Sequence, residues 1–66
     1  MRKRWHEPHA IALRDGRWSA ECRIIEEVPN GVEERSLSSP AGLTFATENE
    51  AVSYAQAMGV KYLTDT

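Results

Sequence analysis

Arg17-Trp18-Ser19-Ala20-Glu21-Cys22-Arg23-Ile24-Ile25-Glu26-Glu27-Val28 is the one long alternating stretch of this chain, and a turn dipeptide stands at each end of it, Asp15-Gly16 before and Asn30-Gly31 after. Such dipeptides supply the two consecutive positive-φ residues of a type I′ turn, so the chain is expected to double back at both ends. That makes the segment the middle strand of an antiparallel sheet. Alternation puts Trp18, Ala20, Cys22 and Ile24 on an inner face, and Arg17, Ser19, Glu21, Arg23, Ile25 and Glu27 on an outer, half-wet one.

Upstream, His9 to Arg14 reads as the first strand. A two-residue Asp15-Gly16 loop sets Leu13 opposite Trp18, Ile11 opposite Ala20 and His9 opposite Cys22, with Ala10, Ala12 and Arg14 turned outward. Residues 1–8 show no period and end in a proline that biases Glu7 toward extended geometry, so they are expected to form a loose basic tail. The body is then a single domain over 9–66.

Downstream, a two-residue Asn30-Gly31 loop sets Ile24 opposite Leu37, Glu26 opposite Arg35 and Cys22 opposite Ser39. This register also sets Glu27 against Glu34, and Pro29 has no N–H for the pair that closes the turn. A longer loop with a shifted register therefore stays open here. Ser38-Ser39-Pro40-Ala41-Gly42 breaks the third strand, and Leu43-Thr44-Phe45 leads to a capping box, Thr47 with Glu50. The helix is expected to run to about Met58, with Ala51, Val52, Tyr54, Ala55 and Met58 on one arc and Asn49, Ser53, Gln56 and Ala57 opposite. Gly59 reads as the residue after the helix end, followed by apolar Val60. Residues 60–63 are then either a tail beneath the sheet or a short fourth edge strand. The fold class is α+β, a three-stranded antiparallel meander (β-β-β-α) with one helix packed on one face.

At 66 residues the chain buries roughly 60% of the surface that its unfolded form exposes, so self-association is a reasonable expectation. Eight Lys and Arg stand against ten Asp and Glu, and three of the cations are Arg2, Lys3 and Arg4, which leaves an acidic body. A lone cysteine, Cys22, forms no internal disulfide, and no apolar run reaches the length of a signal or membrane segment. A cytoplasmic protein with no membrane partner is expected.

No arrangement of residues points to catalysis, a metal or another cofactor. His6 and His9 are three apart around Pro8, where the helical zinc motif needs four. Cys22 lies among Trp18, Ala20 and Ile24, surroundings that keep a thiol protonated. Glu26, Glu27, Glu33 and Glu34 flank a hairpin tip, which offers no cleft to shift a carboxyl pKa. A non-enzymatic binding module is what remains. Its candidate face comprises Arg14, Arg17, Ser19, Glu21, Arg23, Ile25 and Arg35, smoothed by Ala10, Ala12, Ser36 and Ser38. A second copy of the sheet or a nucleic-acid groove could lie on such a face.

Gly16-Arg17-Trp18-Ser19-Ala20-Glu21-Cys22-Arg23 resembles the second strand, Gly-Lys-aromatic-Ala-Ala-Glu-Ile-Arg, of the plant ethylene-response-factor DNA-binding domain and the related arm-binding domains of tyrosine integrases. Phe45, Thr47, Glu48 and Ala51 are similar to that family's helix entry. The resemblance implies a three-stranded sheet that enters the major groove with a helix behind it. It places Glu21 and Arg23 toward DNA and Trp18 in the core. Between His9 and Leu63, however, eight carboxylates outnumber five cations, so counterion release contributes little to DNA affinity. A protein partner, including the chain itself, is the leading expectation, and sheet-face DNA binding the alternative.

Overall fold

The computed structural model describes residues 3–65. Three strands, β1 (Arg4–Ala12), β2 (Trp18–Val28) and β3 (Gly31–Ser38), form one antiparallel sheet in the order β1-β2-β3, followed by the helix α1 (Glu48–Asp65). The meander and its single covering helix are as the alternation and the capping box imply. Four local readings change.

The first is the β1–β2 register. Asp15 does not take a positive φ; only Gly16 does, at +82°, so the type I′ turn cannot form. Instead the Gly16 N–H donates to the Leu13 carbonyl (3.2 Å) and the Leu13 N–H to the Arg17 carbonyl (2.8 Å). This is a three-residue loop in which Gly16 supplies the bulge. Asp15 Oδ1 accepts from the Arg17 N–H (3.0 Å) and holds the turn. The register moves by one residue: Ala12 lies opposite Trp18, Ala10 opposite Ala20, Pro8 opposite Cys22 and His6 opposite Ile24. An odd shift exchanges the faces of a strand. His6, Pro8, Ala10 and Ala12 therefore face inward, while Ile11, expected in the core, is 43% exposed.

The second is the start of β1. Strand pairing begins at Arg4 rather than His9, and the Glu27 N–H donates to the Lys3 carbonyl (2.9 Å). Residues 4–8, expected in a loose tail, thus form half of β1; Met1 and Arg2 lie outside the described residues. Pro8 costs the ladder nothing. Hydrogen-bonded pairs fall at Lys3/Glu27 and Leu13/Arg17, and by alternation Pro8/Cys22 is a non-hydrogen-bonded pair whose proline nitrogen faces the open edge.

The second hairpin also shifts, but by two. Val28 pairs with Gly31 across Pro29-Asn30, which puts Cys22 opposite Leu37, Ile24 opposite Arg35 and Ile25 opposite Glu34. Proline prefers the first central position of a turn, and Gly31 takes φ +144° just after it. An even shift leaves the faces unchanged, so Leu37 stays inward; it separates Glu27 from Glu34 but sets Glu26, expected opposite Arg35, against Glu33. After β3, Ser39 stays on the ladder, donating its N–H to the Ala20 carbonyl (3.0 Å) and accepting the Ala20 N–H on Oγ (3.3 Å). Pro40 to Leu43 make a turn around Gly42 (φ +88°), after which Phe45 pairs with Trp18.

The fourth is the helix end. Thr47 caps α1: its Oγ1 accepts from the Glu50 N–H (3.2 Å) and donates to Glu50 Oε1 (3.1 Å). The helix does not stop at Gly59, however. It continues to Asp65, and residues 60–63 are helical, not a tail or a fourth strand. Gly59 is buried inside it because a Cβ there would come within 2.7 Å of both Cys22 Sγ and His6 Cγ. A mid-helix glycine costs about 1 kcal/mol relative to alanine. Here it lets the helix lie directly on β1 and β2.

Ala51, Ala55 and Gly59, four apart, form the contact line of α1. They meet Ala20, Cys22 and Ile24, and the half-buried Trp18, Leu37, Phe45, Tyr54, Met58, Tyr62 and Leu63 close the sides. Phe45 and Tyr54 stack with ring centroids 5.2 Å apart, tilted by 46°, tying the last loop to the helix. No helix of the described residues is long and apolar enough to cross a membrane.

Candidate interaction surface

The outer face of the sheet follows from the two registers. β1 contributes Trp5, Glu7, His9 and Ile11; β2 contributes Ser19, Glu21, Arg23, Ile25 and Glu27; β3 contributes Val32, Glu34, Ser36 and Ser38. Ala10 and Ala12, expected on this face, belong to the other. Ile25 is its apolar floor: although outward, it is only 7% exposed, flanked by Trp5 on one strand and Glu34 on the other. Trp5 (38% exposed) and Val32 (59%) stand beside it. Alternation could place Ile25 outward but not show that Trp5 pairs with it, since that pairing lies in the segment read as tail.

The candidate cations do not converge. Arg23 is outward, with Nη1 3.9 Å from Glu34 Oε1, an exposed pair worth at most about 1 kcal/mol. Arg14 sits in the first hairpin loop. Arg17 is held by Thr44, donating from Nη2 to its carbonyl (3.0 Å) and from Nε to its hydroxyl. Arg35 pairs with Ile24 and so lies on the helix side, in a depression shared with Arg4, Glu26, Glu33 and Tyr62. Ser19, Glu21, Arg23 and Ile25 remain together on the outer face, where Glu7, Glu21, Glu27 and Glu34 outweigh Arg23 in charge.

His6 and His9 fall on opposite faces, His6 against Gly59 and His9 toward solvent. Among the described residues no three of His, Cys, Asp and Glu gather where they could hold a metal ion. Cys22 is fully buried. Burial pushes its thiol above the ordinary value, an effect that backbone hydrogen bonds at Glu7 and Gly59 oppose.

Among the described residues both sheet edges are open, and they differ. Trp18 and Ala20 address their backbone groups to the β3 side, so alternation leaves Val32, Glu34, Ser36 and Ser38 with N–H and C=O pointing away from the sheet. On β1 the corresponding set includes Pro8, which has no N–H to offer. The helix lies over β1 and β2 and barely reaches β3. Between it and β3 runs an open groove lined by Leu37, Met58, Lys61, Tyr62 and Asp65.

Comparison with protein-family models, curated proteins and solved structures finds no match to this chain, so its function rests on the geometry above.

Proposed function

We propose that this chain is a small non-enzymatic interaction module of the cytoplasm that acts by protein–protein contact, chiefly with a second copy of itself. One observation carries the reading. Among the described residues the sheet is covered on one side only, and its other side keeps exposed Trp5 and Val32 around Ile25 with no second layer above them. A domain this small gains most by burying such surface against another molecule. Light scattering tests the proposal: a mass near twice 7.4 kDa is expected. A monomer at high micromolar concentration, with chemical shifts unchanged on dilution, sinks it.

DNA binding through the sheet is the second reading. The outward orientation of Glu21 and Arg23, which the family resemblance implies, favours it. The surplus of carboxylates on that face and the dispersal of Arg14, Arg17 and Arg35 weigh against it. Titration with duplex DNA at low salt is expected to show no binding. Salt-sensitive binding that Arg23→Ala weakens would put this reading first.

A further inference from the structure

We infer that two copies join edge to edge through β3, antiparallel, with Ser36 on the two-fold axis, so that the sheets merge into one of six strands. This rests on the self-association reading but assigns the contact to the β3 edge, not to the outer face, which an axis perpendicular to the sheet leaves uncovered. The β1 edge is interrupted by Pro8 and the β3 edge contains no proline, so the intact row of donors and acceptors is that of Val32, Glu34, Ser36 and Ser38.

Charge then selects the register. Outward-facing residues must meet each other, which puts the axis on a residue rather than between two. An axis at Glu33, Glu34 or Arg35 sets two identical charges opposite one another. An axis at Val32 or Leu37 leaves only a short overlap at one end of the strand. An axis at Ser36 pairs Glu34 with Ser38, Arg35 with Leu37, and Ser36 with itself, an overlap of Glu34 to Ser38 that leaves Val32 outside the ladder. No like charges meet, and the uncharged half of β3 lies at the centre.

The covering layer agrees. A two-fold axis perpendicular to the sheet keeps both helices on the same side. Because α1 barely reaches β3, the strand of the second copy has room beside the groove. Its Arg35 falls opposite Leu37, at a rim that carries Asp65 as well as Lys61, and its Leu37 extends the apolar floor of Leu37, Met58 and Tyr62.

Two variants test this. Ser36→Pro removes an N–H that makes no bond within the sheet, so the fold should persist by circular dichroism while the mass by light scattering falls to one chain. Ser36→Cys should be joined between copies by a short bifunctional thiol cross-linker, since Cα atoms of a hydrogen-bonded pair stand about 5.5 Å apart. Val32→Cys, far from its own copy in this register, should not. A wild-type dimer that survives Ser36→Pro, or in which Val32→Cys cross-links as readily as Ser36→Cys, overturns the edge assignment. If Trp5→Ser then dissociates that dimer, the self-association reading stands on the outer face alone. A monomeric wild type removes both. Should Ser36→Pro fail to fold, the cysteine pair decides.

Discussion

The two faces of this sheet carry adjacent isoleucines, Ile24 and Ile25, both buried and yet differently held. Ile24 lies under a helix whose contact line is Ala51, Ala55 and Gly59. Ile25 is hidden only by neighbours on its own surface, Trp5 and Glu34 on the flanking strands. The difference teaches that low exposure has two origins in a two-layer protein. On one side a second element excludes water, and on the other the flanking residues belong to the same layer.

Truncating these two residues gives the strongest test. Ile24→Ala should lose about 2–5 kcal/mol in denaturant unfolding, because the helix cannot collapse into the space left. Ile25→Ala should cost distinctly less, since side chains and water can refill the open face. Equal losses would erase the distinction between the faces. Next in size is Gly59→Ala. The gain in helix propensity of about 1 kcal/mol works against a Cβ placed 2.7 Å from Cys22 Sγ and His6 Cγ, and a net loss of about 1–3 kcal/mol is expected. Adding Cys22→Ala should recover part of it, as residues in contact do not behave additively. A stabilised Gly59→Ala would show that the helix has room to spare.

Cys22 probes the same contact through pH. Burial raises its folded-state pKa above the unfolded value, so its contribution is fully present below the ordinary thiol pKa and is lost as the pH rises through the alkaline range toward the folded value. Unfolding free energies of the wild type should fall there more steeply than those of Cys22→Ala. Identical pH profiles would mean that the thiol is solvated when folded. The smallest effect belongs to the outer face: Arg23→Ala should change stability by less than about 0.5 kcal/mol, given a 3.9 Å exposed pair with Glu34. A loss above 1 kcal/mol would mark Arg23 as part of a packed layer.

The two hairpins show how far the fold is legible without coordinates. Both registers differ from what an Asp-Gly or Asn-Gly two-residue loop would impose, by one residue at the first turn and two at the second. Only the odd shift exchanged faces, turning Ile11 and His9 outward and Ala10 and Ala12 inward. The reason is local at each turn: Gly16 alone takes a positive φ and acts as a bulge, and Pro29 claims the first central position. Of the candidate face, Ser19, Glu21, Arg23 and Ile25 were readable because they alternate on one strand. Arg14, Arg17 and Arg35 scattered because a loop, a hydrogen bond to Thr44 and the opposite face of β3 took them.

Properties shared among neighbours in the chain suffice for the middle strand, its two faces, the turns that bound it and the capped start of the helix at Thr47, since each depends on φ preference, alternation or a side chain reaching three residues along. Where β1 begins and why Gly59 continues α1 instead of ending it depend on residues far apart in the chain, Arg4 with Glu26 and His6 and Cys22 with Gly59. His6 and Cys22 press on the helix at Gly59, and only that packing turns a residue that ordinarily stops a helix into the place where the helix comes closest to the sheet.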